Sequence, residues 1–118
     1  MADEMVAWLV ELTVRAGKRD QVRSLTLEMV RSAENEPGTL VYHRHLNSEG
    51  TLHAYERYQD SDAAIQHLGR FNALYADRFL SVLARGWCYV YGPASAALME
   101  LLLPLKPIYL PEQFGFDR

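Results

Sequence analysis

The 118-residue sequence has one cysteine, two lysines and no long apolar run, and each shortage closes off a class of protein. Cys88 alone cannot form an internal disulfide or a cysteine-based zinc site; it fits a reducing compartment and reads as a small buried hydrophobe. Two lysines and ten arginines are scattered along a chain of net charge −3, so no basic block can neutralise a phosphate backbone and nucleic-acid binding is not expected. No stretch approaches the roughly 20 apolar residues of a membrane span, and Met1-Ala2-Asp3-Glu4 is acidic where a secretory signal is basic. The expectation is a cytoplasmic protein with no membrane partner. Walker loop, dinucleotide fingerprint, nucleophile elbow and paired cysteines are all missing, which disfavours phosphoryl transfer and nicotinamide hydride transfer. Core material, by contrast, is plentiful. Hydrophobic residues are 49% of the chain and charged residues 23%, the balance of one folded domain.

Periodicity orders that material. Val6 to Arg15 alternates with Trp8, Val10, Leu12 and Val14 on one side, the pattern of a strand with one apolar face. After Gly17, Val22, Leu25, Met29 and Ala33 recur at helical spacing until Glu36-Pro37-Gly38 stops the helix. Thr39–Asn47 and Thr51–Tyr58 alternate again around Ser48-Glu49-Gly50, which reads as a three-residue hairpin turn with Gly50 left-handed. That turn pairs Asn47 with Thr51 and Tyr42 with Glu56, so Glu56 falls on the mainly apolar face. Asp60-Ser61-Asp62 can cap a helix, or the first of two short ones, whose stripe runs Ala64, Ile65, Leu68, Phe71, Tyr75, Phe79 and Val82, with an interruption or bend expected near Gly69. Trp87 to Tyr91 is apolar on both sides, as in a strand covered on both faces.

The order β-α-β-β-α-β predicts an α+β fold of ferredoxin-like arrangement: an antiparallel sheet with both helices on one face. The other face is predicted to carry Leu9, Val41, Tyr55, Cys88 and Val90, and a second copy of the chain is expected to cover it. Residues 1–92 form this domain, and residues 93–118 an extension in which Ser95 caps a short helix bearing Leu98, Leu101, Leu102 and Leu103. An extended, proline-bounded segment follows. So apolar a tail is expected to pack on the partner subunit of the same dimer or to close a pocket. Glu11 and Arg57 are expected to pair across neighbouring strands or the dimer.

Glu36-Pro37-Gly38-Thr39-Leu40-Val41-Tyr42 resembles a signature of the antibiotic biosynthesis monooxygenase family. Tyr55-Glu56-Arg57-Tyr58-Gln59-Asp60, Ala63-Ala64-Ile65-Gln66-His67 and the earlier Gly17-Lys18 extend the resemblance over Val6 to Gly92. It implies a homodimer of the dimeric α+β barrel kind, in which two sheets form a barrel and each subunit holds a ligand pocket between sheet and helices. It further implies a monooxygenase using O2 as co-substrate with no cofactor on a small electron-rich aromatic such as a quinol, phenol or anthrone. Haem degradation and small-molecule isomerisation also occur in the family. Here Tyr58 stands where Trp is common on the third strand, and Asn72 where many members have a second histidine, which weakens a haem reading.

Oxygenation without a cofactor needs a base, an apolar cavity and donors near the developing oxyanion. His67 is the candidate base, its plainer role being a helix-stabilising or surface histidine. Glu56 could orient His67 or bind a substrate hydroxyl; alternatively it bonds Tyr42 or bridges to Arg44. Tyr42 and Tyr58 could donate to substrate oxygens or be satisfied core residues. Trp8, Phe71 and Tyr75, with Phe79 and Trp87, could wall a planar ligand, and Asn72 could donate to it unless it is an exposed amide. A rival constellation is His43, His45 and His53, which the register brings together on the opposite face as a possible metal site. Two rival functions stand beside the oxygenase: a non-catalytic dimer that binds a small aromatic metabolite, and an oxygen-independent isomerase or decarboxylase.

Overall fold

The computed structural model describes residues 4–118. The elements run β1 (Val6–Val14), α1 (Arg19–Ala33), β2 (Thr39–Leu46), β3 (Thr51–Tyr58), α2 (Ser61–Leu74), α3 (Ala76–Val82), β4 (Leu83–Tyr91), α4 (Ala96–Leu102) and β5 (Ile108–Leu110), with a single 3-10 turn at Leu103–Leu105. The first seven elements hold the β-α-β-β-α-β order, with its second helix in two pieces. Alternation sets the register as the turn geometry demands: Tyr42 faces Glu56, His45 faces His53, and Gly50 takes φ 87° in the hairpin. Helix α1 buries Val22, Leu25, Met29 and Ala33 against the face bearing Trp8, Val10, Leu12, Leu52, Ala54 and Tyr58. Each such side chain larger than alanine contributes on the order of 2 kcal/mol by leaving water.

Several expectations need correcting. The sheet is not closed into a barrel: it is open, in the order β2-β3-β1-β4-β5, with β2 and β5 at opposite edges. Nor is it wholly antiparallel, because β5 pairs in parallel with β4. Only three residues long and held between Pro107 and Pro111, β5 cannot carry a ladder round to β2. The second helix breaks at Tyr75, where φ is −128°, and not near Gly69.

The largest correction lies in β4. Val10 pairs with Cys88 but Leu12 with Arg85, so Gly86 and Trp87 together oppose Glu11 in a β-bulge. The extra residue reverses the alternation. Cys88 and Val90 therefore face the helices, buried at 2% and 0%, while Trp87 is 60% exposed. Burial first and Glu56 second push the Cys88 thiol up to about 11, so it stays an inert thiol at neutral pH.

The segment after Gly92 folds back onto its own domain. Ser95 caps α4 by accepting from Leu98 N, and its own N–H donates to Ser61 at the start of α2. Leu98 and Leu102 are fully buried, α4 lies against α2, and β5 extends the sheet beyond β4. Among the described residues no helix is long and apolar enough to cross a membrane.

Candidate active site

Between the sheet and the helices lies a cavity of about 150 Å³, most of its wall hydrocarbon. Trp8, Val10 and Leu12 of β1 form its floor, Leu68 and Phe71 of α2 and Phe79 of α3 its side, and Leu101, Pro104 and Leu105 of the tail its far wall. Two buried polar groups, Glu56 at 6% and His67 at 8% exposure, interrupt that lining at one end.

Glu56 reaches this position because Trp8 of β1 and Tyr42 of β2 flank it in register on the helix side of the sheet. A bare carboxylate could not remain ionised there, and this one is fully provided for. Oε1 accepts from Trp8 Nε1 at 3.0 Å and from the Tyr58 hydroxyl at 2.5 Å, and Oε2 from Arg44 at 2.8 Å. Burial pulls its pKa up, but the charges of Arg44 and His67 and the bonds from Tyr58 and Arg44 outweigh it and hold the carboxyl below its ordinary range. Glu56 is therefore an anion at neutral pH and no proton donor there. The bridge to Arg44 is the plainer of the roles open to Glu56.

His67 lies on the buried stripe of α2, a helix started by the Asp60 side chain accepting from Ala63 N. Its Nδ1 is 2.8 Å from Glu36 Oε1, and its Nε2 faces Glu56 Oε1 at 3.5 Å. Glu36 also accepts from the Thr39 hydroxyl at 2.7 Å. The turn at Glu36-Pro37-Gly38 can lie this close to α2 because residue 38 has no side chain; a Cβ there would meet the Ala63 Cβ at 2.5 Å. With Nδ1–H donated to Glu36, the lone pair of a neutral imidazole sits on Nε2. A proton taken up there would be held between two carboxylates.

Tyr42 completes this end. Its ring lies edge-on to the imidazole, the Arg44 guanidinium stacks 3.6 Å over it, and its hydroxyl has no partner among the described residues. Burial, then Glu56, raises the phenol far above its usual value, so it remains a donor. Tyr58 is raised likewise, by burial and then by Glu56.

Of the residues singled out from the sequence, the cavity brings together Trp8, Tyr42, Glu56, His67, Phe71, Asn72 and Phe79. Tyr58 lies wholly buried behind Glu56, and Tyr75 lines only a small recess next to His67. Asn72 is an exposed amide at the rim, and Trp87 is on the other side of the sheet. Two participants escaped the sequence reading. Glu36 was read only as part of a helix stop and of the family resemblance, although a stop at Pro-Gly needs no carboxylate; Arg85 was hidden by the bulge.

Among the described residues the opposite face holds no comparable assembly. The His43 and His45 rings are 6.1 Å apart, and His53 is engaged by Glu11 at 3.0 Å in place of the expected Glu11–Arg57 pair. Arg57 instead lies 3.8 Å from Asp117 and bonds the Tyr55 hydroxyl. Among the described residues no three His, Cys, Asp or Glu side chains are placed to hold a metal ion.

A family model described as antibiotic biosynthesis monooxygenase matches residues 5–72. Among solved structures the chain is similar to MupZ from Pseudomonas fluorescens, with a TM-score of 0.82 and 20% identity over 98% of this chain and 95% of that one. It is also similar to Rv0793 from Mycobacterium tuberculosis, with a TM-score of 0.67 and 25% identity over 79% and 98% of the two chains. SnoaB from Streptomyces nogalater, described as a cofactor-independent oxygenase, gives a TM-score of 0.66 and 12% identity over 79% and 96%. No curated protein gives a significant match.

Proposed function

The chain belongs to the antibiotic biosynthesis monooxygenase family, and from that membership and the cavity's geometry we propose that it is a cofactor-independent monooxygenase of a small electron-rich aromatic. His67 Nε2 is the base. It takes the proton from a phenol, quinol or activated methylene, and the electron-rich anion so formed reduces O2 itself. One oxygen atom enters the ring as a carbonyl, the substrate loses two hydrogens, and the second oxygen atom leaves as water. Glu36 fixes the imidazole by its Nδ1–H, and Glu36 and Glu56 together stabilise the imidazolium. Tyr42 donates to the developing oxyanion from the buried end of a mainly apolar cavity, where such a bond is worth more than in water. Trp8 and Phe71 supply the walls, while Tyr58 acts through Glu56 without touching substrate. The working unit is a homodimer, for which the exposed Trp87, Ile108 and Leu110 on the sheet are the support.

The observation that carries this reading is a histidine held between two carboxylates in the wall of an apolar cavity. Similarity to a structure described as a cofactor-independent oxygenase supports it. The test is O2 uptake by chelator-treated protein over hydroquinones, dihydroxynaphthalenes and anthrones. Catalysed uptake is expected to fall about 10²–10⁴-fold in His67→Ala. Uptake no faster than autoxidation, or wild-type turnover by the variant, overturns it.

A second reading is an acid–base enzyme that needs no oxygen. It is favoured by one observation: His67 and Tyr42 can exchange protons, the two carboxylates steady a charged imidazole, and the tail lines the cavity beside them. Product formation under nitrogen would select it.

A further inference from the structure

The cavity has two ends, and their charges are unlike. At the His67 end every charge is met: Arg44 is spent on Glu56, and Glu36 on His67 and Thr39. At the other end Arg85 lines the mouth, and its guanidinium has no hydrogen bond or ion pair among the described residues. One unpaired cation, exposed at the mouth, therefore borders a mainly apolar chamber whose other charges are paired.

The backbone is bent to put it there. A ladder continued regularly from Val10↔Cys88 would set Gly86 opposite Leu12 and turn Arg85 to the far face of the sheet. The bulge pairs Leu12 with Arg85 instead and brings the side chain to the helix side. Only glycine permits it, because a Cβ on residue 86 would meet the Glu11 carbonyl oxygen at 2.8 Å, and backbone cannot yield as a side chain can.

We propose that Arg85 is an anion subsite and that the substrate is an elongated aromatic with a carboxylate at the end remote from its reacting oxygen; this rests on the reading of the cavity as the substrate site. The strand measures the molecule. Trp8 pairs with Glu56 and Leu12 with Arg85, so the reacting end and the cation are separated by four residues of β1, about 13 Å at the strand rise. A single planar, weakly hydrated guanidinium suits a carboxylate, which it can bind through two parallel N–H donors. The hydrocarbon floor between, Val10 and Leu12, calls for an apolar middle.

Calorimetric titration with 4-(6-hydroxynaphthalen-2-yl)butanoate and with its primary amide tests this without turnover. The acid is expected to bind the wild-type protein about tenfold more tightly than the amide, the usual worth of one charged hydrogen-bonded contact. In Arg85→Gln the ratio should fall to about one. Equal affinities in the wild type, or a preference for acid that survives Arg85→Gln, overturn the subsite and leave the oxygenase reading standing. If neither probe binds folded wild-type protein, the cavity is not an aromatic substrate site, and both fall together. The wild-type ratio alone decides should the variant not fold.

Discussion

Each face of the sheet carries a carboxylate–imidazole pair of similar length, Glu36 with His67 at 2.8 Å and Glu11 with His53 at 3.0 Å. Residue types and distances hardly distinguish them. Their cover does. The side chains of Glu36 and His67 are 15% and 9% exposed, under α2 and beside an apolar cavity; those of Glu11 and His53 are 40% and 42% exposed. In water the second pair is screened and adds little, whereas the first acts in a medium that strengthens every charge it contains. It is burial, with the further charges burial makes necessary, that turns a common pair into chemistry.

Experiments that separate the two pairs rank by expected effect. Arg44→Met leaves the Glu56 carboxylate buried without its cation and should cost about 3–5 kcal/mol in urea denaturation. Glu36→Gln keeps an acceptor oxygen for Nδ1 but removes the charge that stabilises the imidazolium; kcat should fall about a hundredfold with KM little changed, by steady-state kinetics. The pH dependence of unfolding should also single out the buried side. Glu56 is held below its ordinary pKa, so its stabilising share is present above that value and is lost as the pH falls through the depressed one. Tyr42 and Tyr58 are raised, so their share is present below about pH 10, and stability should fall as the pH climbs beyond it. Denaturation midpoints from pH 3 to 11 check both limbs. Glu11→Gln, on the open face, should change stability by no more than about 0.5 kcal/mol and leave turnover alone.

What could be read from the sequence follows the reach of the interactions concerned. Alternation is local, so the strands, the hairpin, the pairing of Tyr42 with Glu56 and the buried stripe Val22-Leu25-Met29-Ala33 were all legible. A carboxylate on an apolar face announced Glu56, and a histidine on a helical stripe announced His67. The bulge at Gly86 was not legible, because one inserted residue leaves a run of apolar side chains looking unchanged while it swaps their faces; that misplaced Cys88, Val90 and Trp87 and hid Arg85. Glu36 meets His67 across 31 residues, a contact that depends on how closely a turn packs on a helix. The barrel was an inheritance of family resemblance, and the open sheet shows its limit.

The short parallel strand at the end of the chain has a consequence for the life of the protein outside its chemistry. Without β5, the border of β4 would present an unpaired backbone edge along Tyr89-Val90-Tyr91, in a segment from Trp87 on with strong β preference and no charge. Such a border is a template for intermolecular pairing and fibrous aggregation. Pro107 and Pro111 flank the covering strand, so the new border offers a visiting chain few donors. The segment that follows β4 is thus a seal, and until it docks, a freshly folded molecule is at its most adhesive.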